Sequence, residues 1–309
     1  MQLDRTHITV RERAMPEILD LGLRVVCAYW RPLLATWALG VVPMAIINHL
    51  LIGWMADVRY DDTAFSAEDA GQMWRYLYDM TALVFLEAPL ATVLMTSYLG
   101  QAVFLDPPRI RTLLLDVLRL MPRVLLCQGV FRGVFAAWLL LALLDRVAFS
   151  ERVDLFSVNE GLFLLGVVAY AAILRSIRPF INEIILLERN PLRAPSPGAM
   201  TIGRRSSLLH NSTATGDLML RWMGASLVAV WLVLMIVGVI WAAPGWLLED
   251  WSFGALMVQL VVPLAMWLTA GYFAVVRYLA YLDLRIRQEG WEIELKMRAE
   301  AVRLAGKLT

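Results

Sequence analysis

Residues 33–54 run for 22 positions without an Asp, Glu, Lys or Arg, and that run constrains the fold more than any other feature. Crossing about 30 Å of hydrocarbon at 1.5 Å per residue takes roughly 20 apolar residues, and in lipid every backbone N–H and C=O must find its partner within the segment. A run of this kind is obliged to be a helix. Comparable runs follow at 81–105, interrupted by Glu87 and Pro89, at 124–144, which holds Arg132, and at 218–243 and 252–280. A further run is strongly apolar only over 161–174, too short to cross, so its frame is drawn at 155–174. Hydrophobic residues make up 60% of the 309, with twelve Trp and a mean hydropathy of +0.63. Ordinary soluble domains hold roughly 45–50% apolar residues, and a soluble fold of this length has too little interior for the excess. The expected fold class is an all-α integral membrane protein with about six transmembrane helices.

Charge distribution sets the expected orientation, because Lys and Arg beside a span are retained on the cytoplasmic side. Alternate segments (the N-terminal region, 109–132, 175–221 and the tail from Arg277) hold 24 of the 28 basic residues, and the intervening loops hold only Arg59, Arg75, Arg146 and Arg152. Both termini are expected in the cytoplasm, with an acidic outer face carrying Asp57, Asp61, Asp62, Glu151, Asp154, Glu249 and Asp250. The first 32 residues mix Arg5, Arg11, Arg13, Arg24 and Arg31 with acids and do not read as a cleaved signal peptide. The expected location is a bacterial inner membrane.

A net charge of +1 excludes the concentrated basic surface that nucleic-acid binding needs. Cys27 and Cys127 both fall in apolar stretches, and His7, His49 and His210 share no ligand spacing with them or with each other, so no metal or cofactor is expected. The chain contains no His-Glu-x-x-His, Gly-x-Ser-x-Gly, Gly-Lys-Ser/Thr or Gly-x-Gly-x-x-Gly motif. A non-enzymatic protein is expected.

Three short amphipathic basic segments each precede a span, suggesting interfacial helices and three helix-pair repeats. The first is Pro16-Glu17-Ile18-Leu19-Asp20-Leu21-Gly22-Leu23-Arg24, with Ile18, Leu21 and Val25 on one face and Asp20 placed to pair with Arg24. The second follows Asp106-Pro107-Pro108, and sets Leu113, Leu114, Val117, Leu118 and Met121 against Arg111, Asp116 and Arg119. The third, through Gly203-Arg204-Arg205-Ser206-Ser207-Leu208-Leu209-His210, matches least well. Pro43, Pro89 and Pro263 share no position within their spans and read as kinks. In the tail, Ile293, Met297, Ala301, Leu304 and Leu308 give a narrow apolar stripe with Glu292–Lys296 and Glu294–Arg298 pairs. The chain divides into a transmembrane domain, 1–284, and an amphipathic cytoplasmic helix, 285–309.

Ionisable groups inside a bilayer cost about 2.5–3.5 kcal/mol each on insertion scales, so each needs a reason. Glu87 lies about 9 Å into the second span by helical rise. It reads either as a proton or cation relay or as a carboxylate facing a neighbour such as Arg132. Gly129 and Gly133 flank that arginine and read as a flat helix-packing surface. Arg175, Arg178 and Glu183 fall at the inner interface in the frame 155–174, which asks no special role of them. Asp283 with Arg287 and Arg285 with Glu289 are i,i+4 pairs on a helix leaving the membrane.

Two stretches carry a resemblance. Pro179-Phe180-Ile181-Asn182-Glu183-Ile184-Ile185-Leu186-Leu187-Glu188, followed by Arg204-Arg205-Ser206-x-x-Leu209, resembles the membrane domain attached to some bacterial glycerophosphoryl diester phosphodiesterases and its stand-alone relatives. The stretch from Tyr281 to Glu294 and the amphipathic opening before Arg31-Pro32 fit the same group. In that group the chemistry belongs to a separate phosphodiesterase domain, so the resemblance implies a multi-spanning bacterial protein and no catalytic residue. The expected function is a scaffold or subunit that binds other membrane or cytoplasmic proteins through its cytoplasmic face, with membrane lipid around it. The alternative is a transporter or lipid-handling protein using Glu87 and Arg132.

Overall fold

The computed structural model describes residues 13–56, 67–103, 108–147, 153–194, 196, 198–210, 212–249, 251 and 253–289. Among them all regular structure is helical. Five helices are long and apolar enough to cross a membrane, or six if one bent pair counts as a single span. The expected tail helix beyond Gln288, including its stripe and its charge pairs, lies outside the described residues.

The amphipathic α1 (Met15–Ala28) buries Ile18, Gly22 and Val25, and the expected Asp20–Arg24 pair forms at 2.8 Å on its exposed face. So exposed a pair adds little stability. After α2 (Trp30–Ile52) and a 3₁₀ turn (Gly53–Ala56), the chain enters α3 (Ala67–Ala91), which breaks at Thr92 and resumes as α4 (Val93–Ala102). The window through α3 and α4 is 89% buried, so this span is the axis on which the others pack. α5 (Ile110–Val124) continues through a π-helical turn (Leu125–Val130), then turns by 63° into α6 (Val134–Val147). α7 (Val153–Ile177) is followed by the short α8 (Ile181–Leu186) and by α9 (Ile202–Leu209), where the Thr201 hydroxyl accepts the Arg204 N–H at 3.3 Å as an N-cap. α10 (Ser212–Leu248) is the longest helix, and α11 (Val262–Glu289), entered through a π-helical turn (Met257–Val261), returns beside it.

The 63° bend corrects the expectation for Gly129 and Gly133. They do not form one flat face of a straight helix. Gly133 has φ +80°, a conformation that glycine adopts without strain, and a Cβ there would sit 2.6 Å from Val167 Cγ1 on α7. Gly129 lies in the π-helical turn against the ring of Phe135. Only Gly133 admits a neighbouring helix.

Gly40 makes the closest approach, since a Cβ on it would lie 1.9 Å from the carbonyl oxygen of Ala91, at the break between α3 and α4. Backbone cannot step aside as a side-chain tip can. Gly40→Ala is therefore expected to lower stability by about 1–3 kcal/mol, as overpacking does. Gly238→Ala on α10, with no other atom within 4 Å of the new methyl, is expected to leave the unfolding midpoint in detergent unchanged.

Candidate functional site

The site begins with a proline. Pro89 has no N–H to offer Phe85, and its ring pushes the preceding turn apart, so carbonyls near the middle of α3 lose their helical donors. Side chains from elsewhere take them. Arg175, on the last turn of α7, donates Nη1–H to the Phe85 carbonyl and Nη2–H to the Leu86 carbonyl, the latter at 2.7 Å. Asn182 Nδ2 donates to the Pro89 carbonyl at 2.7 Å; within the span itself, the Ala88 carbonyl keeps the Thr92 N–H at 3.1 Å and also accepts the Thr92 hydroxyl at 2.7 Å. The network continues outward from Asn182, whose Oδ1 accepts from Gln128 Nε2 at 2.6 Å. Gln128 Oε1 accepts from Arg132 Nη1 at 3.3 Å, and Arg132 Nη2 donates to the Arg178 carbonyl at 2.6 Å. Thus Arg132 and Arg175, both buried, are fixed by neutral acceptors around one helix break.

Beside this network is a cavity of about 490 Å³ bounded by α3, α7, α10 and α11. Its volume is within the range of small-molecule sites. Small side chains on both long walls, Ala225 and Ala229 on α10 and Ala270 and Ala274 on α11, leave the space open. The lining runs along α10 from Leu218 to Leu234, 17 residues or roughly 24 Å of helix. Val230 and Leu234 are also exposed on the outside, so the cavity reaches the surface along α10.

Its walls are apolar, and its charge comes from Arg132, Arg175, Arg221 and Arg277. Arg221 pairs with Asp217 at 2.8 Å and Asp283 at 3.3 Å, and Arg277 pairs with the fully buried Glu183 at 2.7 Å. Arg132 and Arg175 pair with no carboxylate among the described residues. Arg132, Arg175 and Arg277 are close enough to repel one another, and Arg132 also feels Glu183. Two polar atoms lining the cavity, Arg175 Nε and Thr269 Oγ1, are buried without a hydrogen-bond partner.

The sequence-predicted residues land differently. Glu87 is fully buried and does not meet Arg132: its carboxylate accepts from Asn48 Nδ2 at 2.9 Å and Trp138 Nε1 at 2.5 Å, outside the cavity lining. Arg175 and Glu183, expected at an interface with no special role, are interior residues. α7 runs on to Ile177, so the guanidinium reaches α3 from the helix end. Another pair was absent from the sequence reading: Arg75 on α3 bonds Glu160 on α7, with Asp79 buried one turn further on. Sequence alone gives these acids no partner: Asp79 stands just ahead of the run 81–105, and Glu160 falls inside the frame 155–174 just ahead of its strongly apolar part.

On the other side of the break, Glu188 joins the stretch 179–188 to α9 and α11. It accepts from Arg205 Nε at 2.6 Å and Nη2 at 2.8 Å, from the Tyr281 hydroxyl at 2.6 Å and from Asn190 Nδ2 at 3.0 Å. Arg285 lies 3.9 Å away on α11. In the exit motif the Asp283–Arg287 pair forms at 2.9 Å, and Asp283 also accepts the backbone N–H of Arg13 at 2.7 Å. Arg287 Nη2 donates to the Arg13 carbonyl at 2.7 Å, so the chain ahead of α1 is strapped to the end of α11. Arg285 turns to Glu188; the side chain of Glu289 lies outside the described residues.

Burial alone raises the Glu188 carboxyl, but hydrogen bonds from Arg205 and Tyr281, with the charges of Arg205 and Arg285, outweigh it and hold it below its ordinary value. A carboxylate depressed on folding stabilises the fold at every pH above its unfolded value, near 4.3, and loses that contribution as pH falls through its folded value. Wild type and Glu188→Gln should therefore show a constant difference in unfolding temperature from about pH 7 to pH 5, closing only in the more acidic range.

No family model, no curated protein and no solved structure matches this chain.

Proposed function

We propose that this chain is an integral, non-enzymatic protein of a bacterial inner membrane that holds an anionic amphiphile in the cavity beside α10, as a lipid-handling or transport protein does. The observation that carries the reading is the pair of buried cations, Arg132 and Arg175, which face an apolar space with no carboxylate of their own among the described residues. Buried charge is tolerated only when it is answered, and an anionic headgroup answers it while an apolar tail covers the walls. The outer surface of α10 supports a lipid environment, with Leu220, Leu227, Trp246 and Leu247 each at least 70% exposed. Six crossings with the termini in the cytoplasm follow the arginine asymmetry, and α1, α5 and α9 would open three helix-pair repeats. Glu87, sealed between α2, α3 and α6, takes no part in the reading.

Native mass spectrometry of the protein purified in mild detergent tests this. The expected result is an acidic lipid retained by wild type and lost from Ala229→Phe, which fills the cavity without touching the polar network, while both variants keep one unfolding temperature. Equal retention of zwitterionic and acidic lipid by both proteins would overturn the reading. A scaffold gathering partner proteins is the competing proposal; it rests on 285–309, and truncation after Gly290 tests it separately.

A further inference from the structure

The ligand class can be narrowed by counting charge where the arginines line the cavity. Glu183 pairs with Arg277 and is felt by Arg132, and Arg175 faces only those two cations, which leaves an excess of two positive charges among the described residues. Arg221 is answered by Asp217 and Asp283 and does not add to it. A carboxylate or a phosphate diester brings one negative charge, whereas a phosphate monoester carries about −1.5 to −2 at pH 7. The unpartnered atoms fit the same chemistry. Arg175 lies against the Phe85 ring at 4.4 Å with both Nη groups committed to carbonyls, so its buried Nε–H is a donor still without an acceptor. Thr269 on α11 carries a second buried donor, its hydroxyl, without a partner. We infer that the cavity takes a phosphate monoester on a long apolar tail, with the phosphate at Arg132 and Arg175 and the tail against α10, leaving through the opening along that helix. This rests on the amphiphile reading above.

The test uses the full chain in non-ionic detergent and four probes: hexadecyl phosphate, its methyl diester, hexadecylphosphocholine and inorganic phosphate. At about pH 7.5 the monoester should bind at least about tenfold more tightly than the diester, because one further full charge meets a desolvated cation pair. At about pH 5 that ratio should fall toward one, since the second ionisation of a phosphate ester lies near pH 6. Among the described residues, the titratable and charged groups that act on Arg132 are Arg175, Arg277, Glu183 on α8, Cys127 in the π-helical turn and His210 after α9. Any proton gained by the protein at this site on acidification makes it more positive and would raise the ratio, so a fall reports the ligand's own ionisation. Ala229→Phe should abolish binding of all three amphiphiles and controls for partition into detergent.

A diester binding as tightly as the monoester at pH 7.5 would overturn the monoester assignment and leave the amphiphile reading standing. Failure of all three amphiphiles to bind would remove the reading itself. Inorganic phosphate binding as tightly as hexadecyl phosphate would show a free-phosphate site and overturn the role of the tail.

Discussion

Arg175→Leu is expected to lower stability by about 3–5 kcal/mol, and Pro89→Ala is expected to return part of that loss. The substitution strips donors from the Phe85 and Leu86 carbonyls in the middle of a nearly fully buried span. Each buried acceptor left without a partner costs about 1–3 kcal/mol. With alanine at 89 the backbone regains an N–H that can bond Phe85 in the ordinary helical way, so one of the arginine's tasks disappears. The double variant should be more stable than the sum of the single effects allows, by about 1–2 kcal/mol, in a cycle measured by denaturant unfolding in detergent. Strict additivity would mean that Arg175 does not serve the break made by Pro89.

Glu183→Gln is the second large effect, at about 2–4 kcal/mol, because it removes a fully buried carboxylate and leaves the partly buried Arg277 without its counter-charge. Arg132 also loses the carboxylate it feels, so the cluster of Arg132, Arg175 and Arg277 is left with three cations and no acid among the described residues. Replacing both partners, Glu183→Leu with Arg277→Met, should recover most of the loss, since an apolar pair of similar size carries no desolvation penalty. If anions are what the cavity accepts, hexadecyl phosphate should raise the unfolding temperature of Glu183→Gln more than that of wild type. An equal rise in both would mean that the carboxylate and the ligand do not share a field.

The spans were legible in the sequence because lipid leaves a long apolar run no alternative to a helix, as 33–54 shows against α2. Local pairs such as Asp20–Arg24 and Asp283–Arg287 were equally legible, since helical spacing alone brings them together. The candidate site was not, because it is made by a helix end reaching a break in a different helix 90 positions away in the chain. One signal was available: a proline in mid-span frees a carbonyl, and some side chain at the same depth has to donate to it. Arg175 and Asn182 were the candidates, but the frame 155–174 had already moved them to the interface. Gly133 misled for a related reason, since spacing suggests a flat helix face while a φ of +80° places it at a corner. Helical phase turns the Glu87 carboxylate toward Asn48 on α2 and Trp138 on α6 and away from the cavity.

The central claim is that an amphiphile lies along α10 with its headgroup at the arginines. Photolabelling with two forms of hexadecyl phosphate, one carrying a diazirine at the last carbon of the chain and one beside the phosphate, tests it most directly. The headgroup probe should label residues around Pro179 and Phe180, beside Arg175, and the chain-end probe should label α10 and leave those residues unlabelled. Identical labelling by both probes spread over the exposed face of α10, unchanged in Ala229→Phe, would contradict the account.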